Sequence, residues 1–369
     1  MKYRIIFQIS LCCMLILAAC KKDNKEGSTD PGILQVASGS LHSLILKNDG
    51  TIWGMGSNND GQLANAPSSS NPVPIHIMND FKAAVVVGGS DHTMLLRSDG
   101  TLWAVGDNLY GQLGDGTVIK KNTPVKIMDG VKEVAASSST LILKNDNTLW
   151  AVGKNQDGQL GDGTVVNKST PVQVMTNVLT MSSSSFFSMI LKTDNTLWAV
   201  GNNVYGQLGD GTTVNKTIPV QVMSDVKEVV CGLFHSLILK SDNTLWTTGE
   251  NANGQLGDGT TIKKSAPVKI MEGVKAMAAG RIFTMILKTD NTLWATGSNA
   301  NGQFGNNNNA GVSTPVKVME NVKEVTVGDQ HTLLLKMDNS IWAAGHNQHG
   351  QLGDGSTTDR NSFIQVILP

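Results

Sequence analysis

Apolar residues along this chain fall in short runs broken by polar, turn-forming residues, and the pattern predicts β-strands throughout. One unit shows it: "PVKVM" (315–319), "VKEVTVG" (322–328), "HTLLLK" (331–336) and "SIWAAG" (340–345) read as four strands. The last two are joined by tight turns such as "NDGT" (48–51) and "TDNT" (193–196), in which the residue after Asp supplies the positive φ of a hairpin. Tryptophans at 53, 103, 150, 198, 246, 294 and 342 mark a period of 47 to 50 residues, and self-similarity at that spacing is the signature of a repeat architecture. Seven four-stranded units predict an all-β, seven-bladed β-propeller over 33–369. "ILQVASG" (33–39) matches the second strand of a unit, and "FIQVIL" (363–368) is an extra first strand. The ring is therefore expected to close by pairing its C-terminal strand into the N-terminal blade, which removes an edge.

The N-terminus departs from this pattern. Lys2 and Arg4 precede an apolar run from Ile5 to Leu17, and "LAAC" ends at Cys20; the run is shorter than the roughly 20 residues of a membrane-spanning helix. The tetrapeptide resembles a bacterial lipobox, so 1–19 is read as a lipoprotein signal peptide and Cys20 as the lipidated residue. Residues 20–32 then form the lipidated cysteine and a flexible, apolar-poor tether. The expected location is the cell envelope, lipid-anchored to the outer membrane, in its periplasmic or surface-exposed leaflet. Of four cysteines only Cys231 then remains, which excludes an intrachain disulfide and reads as a small buried thiol. The charges nearly cancel, 29 basic against 30 acidic, leaving no electrostatic footprint for nucleic acid.

The stretch "GQLGDGT" stands at 111–117, 158–164, 206–212 and 254–260, with "GQLGDGS" at 350–356 and decayed copies at 61 and 302. A phosphate loop needs a Lys-Ser/Thr end and a helix behind it, and neither follows. A calcium loop needs several alternating carboxylates, whereas each copy offers one, for example Asp115 or Asp162. The stretch reads as turn architecture. His42, His92, His235 and His331 begin strands in four different repeats, too dispersed for one tetrahedral metal site, and read as hydrogen-bonded structural histidines. No catalytic constellation, cofactor or metal site is expected.

The strand ending in Gly, "HSLIL" or "HTLLL", the Asp-Gly or Asp-Asn turn, "LWAVG-x-N" and "GQLGDG" together resemble the regulator of chromosome condensation repeat family over 33–368. The resemblance implies a seven-bladed propeller. Relatives include an exchange factor for a Ran-type GTPase, but a lipobox places this chain outside the cytoplasm and the even spacing leaves no room for its wedge-like insertion, so exchange activity is not expected. Function must lie where the repeats differ. Two sets of loops gather at one face, and their aromatic and cationic residues are the candidates for partner binding: Phe186, Phe187, Phe234, Arg281, Phe283, Tyr110 and Tyr205. Phe187 and Phe283 stand in the histidine column and suit either face or core; Phe186 and Phe234 lie just outside it. The patch is expected on blades four to six. The reading is a non-enzymatic, lipid-anchored, monomeric scaffold for a protein ligand, with a glycan-binding protein or an enzyme-inhibitor propeller as alternatives.

Overall fold

Strand and turn alternate as the period predicts. The computed structural model describes residues 32–78, 81 and 83–369, and among them twenty-eight strands form seven antiparallel four-stranded sheets. Strands β1–β4 run over 33–78, β5–β8 over 83–128, β9–β12 over 131–175, β13–β16 over 178–223, β17–β20 over 226–271, β21–β24 over 274–319 and β25–β28 over 322–366. The first strand of every blade lines the central channel. In the hairpin turns the Asp carboxylate caps the backbone: Asp49 Oδ1 accepts from Thr51 N at 2.9 Å and Thr51 Oγ1 at 2.7 Å, while Gly50 and Asn195 take φ of 83° and 63°. The expected signal peptide, the lipobox, Cys20 and the expected tether as far as residue 31 lie outside the described residues.

Closure differs from the expectation. β28 pairs with β27 of its own blade, Ile341 opposite Val366, and β1 belongs to a blade completed by β4. The segment typified by "PVKVM" is the outermost strand of the preceding blade, not the first of the next. The longest strand-free stretches, such as 107–120, lie inside a blade, whereas only residues 129–130 link the second blade to the third. A boundary placed at the longest loop is one strand out of phase, because that loop is a packed part of its blade. The seam between last and first blades is closed by side chains, Ile45 and Met55 packing with Leu333 and Leu352, and by Ser43 Oγ donating to Gln351 O at 2.9 Å.

Cores form between blades rather than within them. Trp150 packs on a cluster drawn from the second and third blades, Trp342 on one from the sixth and seventh, and Trp53 on the closing seam. The seven tryptophans thus mark seven interfaces. Lys144 Nζ lies 5.8 Å from the Trp150 ring centroid and Lys336 Nζ 5.3 Å from that of Trp342, so the column of cations covers the outer side of these rings. Cys231 is buried, its Sγ 3.4 Å from Ser182 O.

Candidate functional site

The glycine-rich stretch is a clasp between blades. Asn108, fully buried, accepts from Leu113 N at 3.0 Å and donates through Nδ2 to Asp115 Oδ1 at 3.0 Å and Thr117 O at 3.1 Å. Asp115 Oδ1 accepts from Thr117 N at 2.9 Å, and its Oδ2 pairs with Lys121 Nζ at 3.2 Å. Burial raises the Asp115 carboxyl, but the hydrogen bonds from Thr117 and Lys121 outweigh it and hold the group below the usual carboxylate range. Beyond this knot the loop reaches the next blade: Gly116 N donates to Ser169 O, Gly163 N to Thr217 O and Gly211 N to Ser265 O, each at 2.9 Å. At the seam Gly355 N donates to Pro72 O at 2.8 Å. The carboxylate and amides that a phosphate or calcium ion would need are consumed internally. The asparagine that ties the knot, present in all seven repeats as Asn58, Asn108, Asn155, Asn203, Asn251, Asn299 and Asn347, is the residue that motif reasoning overlooked; its signal was the constant N of "LWAVG-x-N".

The histidine column serves the same interfaces. His92 Nε2 lies 3.1 Å from Thr140 Oγ1 of the next blade, and that hydroxyl donates to Gln112 O at 2.8 Å. A threonine has one proton; with it spent on the carbonyl, the hydroxyl accepts from Nε2–H, which leaves Nδ1 unprotonated. Nδ1 is buried without a hydrogen-bond partner in His42, His92, His235 and His331. Burial pushes these imidazoles down, to about 3 for His42 and His331 and about 4 for His92 and His235. They are neutral parts of the core. Among the described residues no group of three or more His, Cys, Asp or Glu side chains is arranged to hold a metal.

Phe187 and Phe283 are corrected to this column. Both are 0% exposed, and the Phe283 ring lies against Gly280 as the His42 ring lies against Gly39. They begin β14 and β22 at the inward position and offer no surface to a partner. The other aromatic candidates do converge. The short loop after each innermost strand adjoins the clasp loop of its own blade, with Asn202 N donating to Phe186 O and Glu250 N to Phe234 O, at 2.9 and 2.8 Å. Half-buried Phe186 and Phe234 stack at 4.6 Å with 23° between planes, and Tyr205 meets Phe234 at 5.2 Å. Lys154 Nζ stands 4.5 Å from the Phe186 centroid and 5.9 Å from that of Tyr110. The cluster spans blades two to five, not four to six. Exposed Arg281 makes none of these ring contacts; it lines the channel and lowers the carboxyls of Glu250 and Asp329 against the upward push of burial.

An acidic group lies on the same face. Asp91 is pushed up to about 6, by burial first and then by Asp60, Asp107 and Asp329, with His349 opposing. The loop face therefore carries an aromatic and cationic cluster and, beside it on blades seven, one and two, an acidic group, both at positions that vary between repeats.

The chain matches the RCC1-like domain over residues 18–318 and again over 127–368. It is similar to Prp20p from Saccharomyces cerevisiae, described with its binding properties to Gsp1p and histones, at 21% identity over 85% of this chain and 84% of that one, with a TM-score of 0.75. The yeast RCC1 (Prp20) bound to Kap60 superposes with a TM-score of 0.77 at 18% identity, covering 96% of this chain and 91% of the other. Human WBSCR16 gives 0.61 at 21% identity, over 93% and 83%.

Proposed function

The chain belongs to the RCC1-like domain family, and from that premise we propose that it is a non-enzymatic, lipid-anchored scaffold that binds a protein partner through its loop face. The observation that carries the proposal is the half-exposed Phe186, Phe234 and Tyr205 cluster with Lys154 over it. Rigid aromatics on a variable face are what interface hot spots use. Binding of Gsp1p and histones by Prp20p supports protein recognition by this fold. The partner of this chain differs if Cys20 anchors it in the cell envelope.

Topology supports a display role. β1 begins at Ile33 beside the hairpin turns, where Asn48 N donates to Gly32 O at 3.0 Å, on the side opposite the clasp loops. An anchor N-terminal to Gly32 would therefore attach on the hairpin side and leave the loop face pointing away from the membrane. The test is a photocrosslinking residue at position 186 or, on the hairpin face, at 194, in intact envelopes. A discrete protein adduct from 186 alone is expected; no adduct, or equal adducts from both, overturns the reading. Fatty-acid labelling lost in Cys20→Ser checks the anchor.

A further inference from the structure

We propose that the half of the loop face formed by blades two to five docks a peptide segment of another protein in which an acidic side chain is flanked by aliphatic or aromatic ones. The inference rests on the scaffold reading and names the chemistry of its partner.

The first observation is the rim. Where each clasp leads into the outermost strand, blades two to five expose aliphatic side chains: Val118 and Ile119 at 59% and 65%, Val165 and Val166 at 54% and 62%, Val214 at 62% and Ile262 at 66%. The same positions in the other three blades are Asn309 and Ala310, Thr357 and Thr358, and Ser68 and Ser69. Apolar rim and aromatic cluster occupy the same blades, and Lys263, next to Ile262, joins them by donating to Val204 O at 3.2 Å and lying 5.9 Å from the Tyr205 centroid. Exposed apolar side chains concentrated on one group of blades and bordered by polar residues mark an interaction surface.

The second observation is charge. The lysines repeated at the clasp are neutralised, Lys121, Lys168, Lys216 and Lys264 each lying 3.2 to 3.3 Å from a clasp aspartate. Lys154 and Lys263 rest over aromatic rings, and among the described residues neither has a carboxylate within ion-pair distance. Two ammonium groups held beside exposed apolar side chains and outside any ion pair complement a carboxylate brought by the partner.

The third observation separates peptide from sugar. A sugar is oriented by free amide and carboxylate side chains beside the ring on which it stacks, and the two amides nearest Tyr205 are spent. Gln207 accepts from Tyr205 N at 3.0 Å and donates to Asn202 Oδ1 at 2.9 Å, while Asn202 Nδ2 donates to Asp157 at 2.9 Å. An apolar side chain needs no such partners.

The test selects a displayed library of random linear peptides on the full chain in non-ionic detergent. Enriched sequences are expected to place Asp or Glu between aliphatic or aromatic residues. A synthetic peptide of that consensus should bind roughly ten-fold more weakly to Phe234→Ala and unchanged to the Thr357→Ala/Thr358→Ala control, with thermal melts confirming that each variant is folded. Selection repeated on Lys154→Glu should enrich Lys or Arg in place of the acid. Peptides without a charge preference, or a preference that Lys154→Glu leaves unmoved, overturn the proposal. Binding that ignores Phe234→Ala but is lost in Asp60→Asn moves the site to the acidic group, which leaves the scaffold reading intact and this one refuted. No enriched peptide, with glycan-array binding instead, refutes both.

Discussion

Single side chains in this propeller are assigned to interfaces, and their titration shows it. His92 stays neutral in the fold to about pH 4 but binds a proton near 6.5 when unfolded. Between those values the unfolded state holds more protons, so stability is lost as the pH falls. Phe187 and Phe283 already fill the equivalent slot, and there the next blade's hydroxyl still reaches its carbonyl, Ser236 to Gln207 O at 2.6 Å and Thr332 to Gln303 O at 2.7 Å. His92→Phe is therefore expected to change stability by no more than about 1 kcal/mol at pH 7 and to gain about 2 kcal/mol on the parent between pH 7 and pH 5; urea melts at both pH values decide it. Asp91 carries the opposite sign. Its carboxyl, raised to about 6, is protonated in the fold where the unfolded group is ionised, so its ionisation costs stability as the pH rises through that window. Asp91→Asn should stabilise the protein by about 1–3 kcal/mol at pH 7 and by little at pH 4, and a parallel change at both pH values would refute the assignment.

At the scale of the element, the clasp loop does the work that strand exchange was expected to do. Two glycines in one loop isolate that role. Gly206 and Gly211 share a φ of 80°, so alanine carries the same left-handed penalty of about 1–2 kcal/mol at both. A Cβ on Gly206 would stand 2.4 Å from Ser265 Cα in the next blade, whereas one on Gly211 meets nothing within 4 Å. Gly206→Ala is expected to destabilise by roughly 2–4 kcal/mol more than Gly211→Ala, measured by chemical denaturation; equal losses would mean that the loop does not hold its neighbour. Asn155→Ala removes the centre of such a knot, whose amide bonds Leu160 N, Asp162 and Thr164 O at 3.0 to 3.1 Å. The same melts should show a loss of about 3 kcal/mol, with Asp162→Asn milder because it keeps an acceptor.

Over the whole molecule, the period announces seven blades because every interface needs its own tryptophan, and those seven residues are legible in the sequence. Hairpin turns and the histidine column are legible for the same reason, since repetition exposes what the fold requires. Phase was not legible: hydrophobic pattern marks strands but not which neighbour each one joins, and the ordered clasp looks like a spacer. The cluster of Tyr110, Phe186, Tyr205 and Phe234 was legible in its members only, because Lys154 and the aliphatic rim gain meaning from ring geometry. Since every blade is continuous in sequence, side-chain packing, clasps and a backbone bond from Asp329 N to Ser40 O hold the seam without an exchanged strand. Ile33 and Gln365–Pro369 line one depression on the hairpin side, so a short linker can join 369 to 33 without crossing the fold. A permutant so joined and reopened at 272–273, between the fifth and sixth blades, keeps every strand pair and every clasp. It should melt in one transition with the parent's β-sheet spectrum, and Leu352→Ala, at the original seam, should destabilise parent and permutant alike by about 2–5 kcal/mol. A permutant that fails to fold, while the linker alone is tolerated, would show that the break between the seventh and first blades has a role that the other six interfaces lack.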